Sequence, residues 1–291
     1  MPSPLESPSN VPRLANLLLG EAIEDLQLAH KAIKAGAKYL GIPTGLPTLD
    51  SHFGGMQAGI FLLGAMPGMG KTRMALSIAR NAAKAGFPVL YLTADESVQR
   101  LALKLACMDA GIKLSDLSTG SDPAILQTYK STDPEVLKRV SFFAIREINV
   151  DSIQQHLADR IKQAGSRMGL LVVDYVQALA GKHHQEIRQA MGAITVDIRD
   201  AALACKSPAL VISALSRGGY GLNPTMASLR ESSDLEYSAD GVWLLSDDIN
   251  RPVSSPMQAL TLRVEKNRWG AAHFDIPISV NAAISTIAEN K

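Results

Sequence analysis

The stretch Ile60-Phe-Leu-Leu-Gly-Ala-Met-Pro-Gly-Met-Gly-Lys-Thr72, running on into Arg73-Met-Ala-Leu-Ser-Ile-Ala79, sets the tightest limit on what this chain can become. An apolar run ends in a glycine-bearing loop, Gly70-Lys71-Thr72 follows, and a helical pattern begins. Backbone N–H groups in such a loop point inward and cradle phosphate oxygens. The helix adds roughly half a positive charge at its N-terminus, aimed at the same place. Gly68 and Gly70 make room for the phosphates and permit positive φ. Lys71 is placed to reach the β- and γ-phosphates of a nucleoside triphosphate, and Thr72 to put its hydroxyl on Mg²⁺. Ala65, Pro67, Gly68, Met69, Gly70, Lys71, Thr72 and Arg73 are therefore the candidate nucleotide-binding residues. The pattern is imperfect, because Ala65 stands where the first glycine of the motif belongs and Gly64 lies one residue early.

Alternating strands and helices surround this loop. Strands are predicted at 60–64, 88–93, 141–145, 169–174, 209–213, 241–246, 260–265 and 274–279, with helices at 71–85, 97–110, 151–164 and 184–205. The first five strands are short, apolar and separated by helices, which predicts an α/β fold with a mostly parallel central sheet covered on both faces. The last strands have no long helix between them, so an antiparallel edge is expected. Asp151-Ser-Ile-Gln154 reads as a capping-box-like helix start. Residues 111–140 are polar and turn-rich, with one or two short helices.

Two strand ends carry carboxylates. Gly169-Leu-Leu-Val-Val-Asp174 is a buried strand ending in an acid, and in a phosphate-loop sheet such an Asp holds Mg²⁺, usually through water. Thr72 and Asp174 are thus the candidate metal residues. Asp95 and Glu96 follow the strand Val89-Leu-Tyr-Leu-Thr93, at the rim where ligands of parallel sheets bind. One of the two is expected to activate the attacking water, although Asp95 in the role of a helix cap is the bland alternative.

Composition narrows the rest. The chain has 291 residues, 46% hydrophobic and 20% charged, which suits one large globular domain with or without an appendage. Cys107 and Cys205 match no metal spacing and read as reduced core thiols of a cytoplasmic protein. No apolar run approaches the ~20 residues that span a bilayer, and the first residues lack a signal-peptide pattern, so no membrane partner is expected. A net charge of +1 is no nucleic-acid footprint by itself, so any basic contacts must be local and gathered by assembly. Gly181-Lys-His-His-Gln-Glu-Ile-Arg188 and Arg217-Gly-Gly-Tyr-Gly221 offer them. Lys182, Arg188, Arg217 and Gly219 would meet phosphates, and Tyr220 would stack on a base.

Residues 1–12 are rich in Pro and Ser and expected to be disordered. From Leu14 to Lys34 a helical period places Leu19, Ile23, Leu26 and Ile33 on one stripe, and Gly36 ends it. The expected division is an arm and helix over 1–36, then the main domain over 37–291. The stripe either packs on its own domain or docks on a neighbouring subunit.

Several motifs in order make the chain resemble the motor domain of DnaB-type replicative helicases, a RecA-like P-loop NTPase core. The resemblance runs from about Leu14 to about Ile278. Carrying it are Gly41-Ile-Pro-Thr-Gly-Leu-Pro-Thr-Leu-Asp50, Ala65-Met-Pro-Gly-Met-Gly-Lys-Thr72, Asp174-Tyr-Val-Gln177, Ser228-Leu-Arg-Glu-Ser232 with Glu236 and Ala239-Asp240, and Lys266-Asn-Arg-Trp-Gly270. The family implies ATP with Mg²⁺, a hexameric ring hydrolysing ATP between subunits, single-stranded DNA through its centre, and replication or loader proteins as partners. By position Lys71, Thr72 and Asp174 would meet phosphate and Mg²⁺, Asp95 would be the catalytic acid with Glu96 close behind, and Lys266 and Arg268 would act in trans on the neighbour's nucleotide. The 14–36 helix resembles the family's linker helix.

Three features depart from the family. Only a short arm precedes the linker helix where the family carries an N-terminal helical domain. The family's Leu-Ser-Gln, whose Gln senses the γ-phosphate, reads Ile212-Ser-Ala214. The catalytic acid is Asp95 rather than Glu. A RecA- or RadA-like DNA-bound ATPase serving recombination, loading or regulation without processive unwinding is therefore the second reading. A small-substrate P-loop enzyme such as a kinase is the third, and it leaves Lys266 and Arg268 without a role.

Overall fold

The computed structural model describes residues 15–34, 36–118, 122–180, 184–215, 233–247 and 257–290. The chain divides into two compact units, 1–40 and 41–291. The first contains one helix, α1 (Ala15–Lys34), on which Leu19, Ile23 and Leu26 are exposed.

Among the described residues the second unit is built on nine strands: β1 (Gly59–Ala65), β2 (Val89–Thr93), β3 (Val140–Ala144), β4 (Leu170–Asp174), β5 (Pro208–Ala214), β6 (Gly241–Asp247), β7 (Met257–Asn267), β8 (Phe274–Asn281) and β9 (Thr286–Glu289). They form a single sheet in the order β3-β2-β4-β5-β1-β6-β7-β8-β9. Pairing is parallel from β3 through β6, then antiparallel from β6 to β9. The expected parallel sheet and antiparallel edge are both present. β9 escaped the sequence reading because it is short, and Ala282-Ala-Ile-Ser285 carries none of the Asn-Gly type of hairpin signal.

Helices α2 (Pro47–Phe53), α3 (Lys71–Lys84), α4 (Val98–Ala110), α5 (Leu114–Ser118), α6 (Asp122–Ser131), α7 (Pro134–Arg139), α8 (Ile153–Gln163), α9 (His184–Ala204) and α10 (Ser233–Ser238) complete the described fold. Alternation along the buried strands splits the core into two layers. Phe61, Leu63, Tyr91, Val172 and Trp243 face α2, α3 and α4, while Leu62, Leu90, Leu171, Val211 and Leu244 face α8 and α9. Parallel strands covered on both faces are apolar throughout, hence the near-continuous runs in the sequence.

Two local readings need correction. Region 111–140 holds three short helices, α5, α6 and α7, the last capped by Asp133, whose side chain accepts from Glu135 N–H. Asp151 does not start a helix. Asn149 caps a 3₁₀ turn over 150–152 that runs into α8, and Asp151 lies inside that turn. The chain begins to coil two residues earlier than the capping-box pattern implies.

Candidate nucleotide site

The strand ends of β1, β2, β4 and β5 meet at one rim, and a cleft of about 740 Å³ opens there. That volume falls within the range of small-molecule sites. One wall is the loop after β1. Gly68 has φ +81°, and a Cβ there would point into open space, so the backbone conformation rather than crowding calls for glycine. Gly70, φ +93°, caps α3 without any side-chain hydrogen bond, leaving the first turn's N–H groups unclaimed by a cap. Free N–H groups at a helix start form a phosphate cradle. Pro67, Gly68, Gly70, Lys71, Thr72 and Arg73 all line the cleft. Ala65 and Met69 do not, since both side chains lie in the core. Ala65 contributes only its carbonyl, which with that of Met66 accepts from Lys71 Nζ at 2.9 and 3.0 Å. This explains how an alanine serves at that position: it is the last residue of a buried strand, used through its backbone.

Asp174 ends β4 and is 3% exposed. Although β5 separates β4 from β1, α3 packs across β4 and β5, which brings the Thr72 hydroxyl onto the Asp174 carboxylate. Tyr91 Oη donates to Asp174 Oδ2 at 2.8 Å from the opposite side. Burial pushes the Asp174 pKa up, the two hydroxyls pull it back, and Asp95 and Glu96 push it up again, the net effect being a rise. Burial also lowers the Lys71 pKa, opposed by Asp174 and Asp95. In this partly desolvated cleft burial thus outweighs the attraction of lysine and carboxylates and shifts each toward its neutral form.

Asp95 and Glu96 separate in role. Ser97, not Asp95, caps α4, its side chain accepting from Arg100 N–H. Glu96 is tied to its own helix by Lys104, with Arg100 Nε 3.7 Å away. Asp95 is exposed in the cleft and carries no hydrogen bond among the described residues. Its pKa is raised by partial burial, with Lys71 opposing and Glu96 reinforcing the rise.

Among the described residues there is no group of three or more His, Cys, Asp or Glu side chains able to hold a metal. Mg²⁺ needs no such cage, since it keeps several waters and binds through one or two protein oxygens plus substrate phosphates. The Thr72–Asp174 pair beside the phosphate loop fits that requirement.

The sequence reading missed part of the lining. Lys104, Met108, Leu114 and Ser115 close one side, and the β8–β9 turn, through Ala282, Ala283 and Ser285, closes another. Lys104 was findable, being two helical turns from Glu96. The turn gave no signal. Ala214, at the end of β5 in register with Ala65, also faces the cleft.

Lys266 and Arg268 lie elsewhere. β7 runs antiparallel, so its end at Asn267 pairs with Gly241 at the start of β6. Arg268 N–H donates to Asp240 O at 2.9 Å, and Asp240 N–H to Ile60 O at 2.7 Å, beside the first residues of β1. The cleft begins at the other end of β1, past Ala65, ~17 Å along a strand from Ile60. Arg268 cannot reach the cleft of its own chain. Of the candidate nucleic-acid residues, Lys182, Arg217, Gly219 and Tyr220 lie outside the described residues, and Arg188 falls within α9.

A mostly parallel sheet with a phosphate loop on a central strand and carboxylates at two neighbouring strand ends defines the class of RecA-like P-loop folds. The family described as DnaB-like helicase C-terminal domain matches residues 41–287, and the chain belongs to it. It is 27% identical over 263 residues to the replicative DNA helicase DnaB of Geobacillus stearothermophilus, an alignment covering 87% of this chain and 57% of the relative. The Bacillus subtilis replicative DNA helicase DnaC is 26% identical over 79% of this chain and 52% of the relative. The chain thus spans about half the length of the curated relatives it matches. A solved ATPase domain superposes with a TM-score of 0.79 at 20% identity, covering 92% of this chain and 98% of that one. A DnaB-like replicative helicase, solved in work on its interactions with primase, superposes at 0.75 and 20% identity, covering 98% of this chain and 69% of its own. No described helix is long and apolar enough to cross a membrane.

Proposed function

We propose that this chain is the motor of an ATP-driven DNA helicase or translocase that works as a ring, the reading in which every placed group has a task. In it, residues 1–36 form the arm and docking helix, and residues 37–291 the ATPase domain. The observation that carries it is the separation of the two sets of groups: Lys71, Thr72, Asp95 and Asp174 converge on one cleft, while Lys266 and Arg268 sit at the opposite rim of the same sheet. A basic pair that cannot serve its own nucleotide is explained when chains associate head to tail, each rim facing the next chain's cleft.

In this mechanism the loop N–H groups and the α3 N-terminus bind the phosphates. Lys71 leaves its two carbonyl partners to meet the β- and γ-oxygens, and Arg73 lies at the outer end of the same wall. Thr72 and Asp174 would hold Mg²⁺, which would supply neutralisation of the phosphate charge. Asp95, unbonded and raised in pKa, accepts a proton from the attacking water, and Glu96 stays bound to Lys104 beside it. Lys266 and Arg268 of the adjacent chain stabilise the charge that develops on the γ-phosphoryl. Lys182, Arg188, Arg217, Gly219 and Tyr220 are the residues this reading assigns to contact with single-stranded DNA. The exposed Leu19, Ile23 and Leu26 stripe of α1 docks on a neighbour.

Ala214 gives substance to the second reading, a DNA-bound ATPase without processive unwinding, because its methyl cannot report on the γ-phosphate from the cleft wall. A DNA-stimulated ATPase assay run beside strand displacement decides. The helicase reading expects both, stimulation without displacement selects the second reading, and a monomer with unstimulated turnover removes both.

A further inference from the structure

At the start of β1 a polar corner stands apart from the cleft. Asp240 is 4% exposed and locked to Ile60 on two sides: its N–H donates to Ile60 O at 2.7 Å, and its Oδ2 accepts Ile60 N–H at 2.9 Å. Gly59 permits this approach, since a Cβ there would stand 2.3 Å from Oδ2. Two arginines from distant parts of the chain close on the same carboxylate. Arg268 Nη1 lies 2.7 Å from Oδ1, and Arg199 Nη1, from α9, lies 3.4 Å from Oδ2. Arg199 also donates to the Ser238 carbonyl. Lys266 Nζ caps the end of α10, donating to Glu236 O at 3.0 Å and Tyr237 O at 3.2 Å.

The geometry has two consequences. Asp240 cannot follow Arg268 if it moves, because its backbone and one oxygen are committed to β1. Arg268, its side chain 47% exposed, spends only Nη1 on the carboxylate, and among the described residues nothing is bonded to Nε or Nη2. The guanidinium is planar and rigid, so fixing Nη1 aims the remaining edge of the fork. Arg199 balances the same carboxylate, so the corner keeps positive charge despite the pairing.

We propose that Asp240 is a positioning residue for Arg268: anchored to the first residues of β1, it holds the guanidinium by one nitrogen and presents the other edge to the phosphate of an adjacent chain. Through Arg199 the same carboxylate ties that arginine to α9. This rests on the reading that Arg268 acts in trans.

The test is steady-state ATP hydrolysis by the full chain with Mg²⁺ and single-stranded DNA. Asp240→Asn should lower kcat about tenfold or more, a fraction of the 10³–10⁵ that an arginine finger is worth when removed outright. Its KM for ATP should stay within about twofold, since its own cleft is at the far rim. Mixing it in equal amounts with Lys71→Ala chains should raise turnover above either alone, because about one interface in four then joins an intact loop to an intact arginine. Arg268→Ala mixed with Lys71→Ala is the control. Parental kcat in Asp240→Asn overturns the proposal. Rescue of Arg268→Ala without rescue of Asp240→Asn also overturns it, with trans action left standing, and would mean that Asp240 serves its own β1. Failure of both mixtures removes trans action and this assignment with it. Should Asp240→Asn not fold, Asp240→Asn with Arg199→Met, which removes one charge of each sign from the corner, takes its place with the same expected results.

Discussion

Replacing Lys71 by alanine separates the chemistry of the cleft from the stability of the fold. Lys71 Nζ donates to the carbonyls of Ala65 and Met66 at 2.9 and 3.0 Å, and burial lowers its pKa against the pull of Asp174 and Asp95. Truncation removes two charge-assisted bonds, each worth about 1.5–3 kcal/mol net. It also relieves the desolvation of a half-buried ammonium, and the space it vacates opens to the cleft, so the terms largely offset. The expected loss of stability is about 1 kcal/mol, a Tm shift of roughly 2–4 °C for a domain of this size. Hydrolysis should respond on another scale. Losing one preorganised donor at the developing charge costs about 10²–10³ in kcat. Differential scanning fluorimetry without nucleotide and phosphate release at saturating ATP give the two numbers. Turnover within tenfold of the parent protein would remove the phosphate loop from the mechanism. A collapse of Tm by more than about 10 °C would show that the lysine is chiefly a structural clamp on the end of β1.

Three further outcomes are expected. Arg268→Ala should abolish hydrolysis alone yet recover it when mixed with Asp95→Ala chains, as measured by turnover against mixing ratio; a flat, inactive curve argues against action in trans. Tyr91→Phe, which removes the outer donor to Asp174, should raise the Mg²⁺ concentration needed for half-maximal turnover about tenfold, the scale of outer-sphere losses at metal sites; an unchanged Mg²⁺ titration would take Asp174 out of the metal site. Asp109 accepts from Arg80 Nε at 2.8 Å, Lys84 Nζ at 2.7 Å and Asp133 N–H at 2.8 Å, so Asp109→Ala should cost about 2–3 kcal/mol by urea unfolding at pH 7. Burial opposes ionisation of this carboxyl, but Lys84, Asp133 N–H and Arg80 outweigh it and hold its pKa below the ordinary value. A depressed folded-state pKa gives stability that is fully present above the unfolded value of about 3.9 and lost as pH falls through the folded one, so the difference between parent and variant should shrink only below about pH 4.

The sequence made the parallel half of the sheet legible because buried parallel strands are apolar on both faces and are punctuated by helices, as at Leu170–Asp174 and Val89–Thr93. The phosphate loop was legible because few structures other than a phosphate cradle need Gly68, Gly70, Lys71 and Thr72 in that order. What escaped depended on tertiary placement. α2 carried readable signals, Pro47 in its first turn and Gly54 at its left-handed C-cap, but its seven residues make barely two turns. The β8–β9 turn enters the cleft because two strand reversals return it to that rim, which periodicity does not encode. Asp240 read only as part of a motif, and its partners Arg199 and Arg268 lie 41 and 28 residues away in sequence. Glu96 illustrates the converse. It was chemically plausible beside Asp95, and only the position of Lys104 separates the two.

The antiparallel edge explains why this chain has charges at both rims of one sheet. Had β7 continued the parallel order, Lys266 and Arg268 would have ended at the cleft rim and could have served their own nucleotide. Reversal places them at the opposite rim instead, Arg268 held by Asp240 and Lys266 by the carbonyls of Glu236 and Tyr237. The next reversal brings β8 back, so that Ala282, Ala283 and Ser285 close the cleft of the same chain. On the ring reading, the β7–β8–β9 meander would therefore line its own nucleotide site with its β8–β9 turn and offer the basic groups beside its β7–β8 turn to another. On the ring reading, any movement of β7 and β8 against β6 changes two adjacent sites together, which is the minimum a motor needs to pass the state of one site to the next.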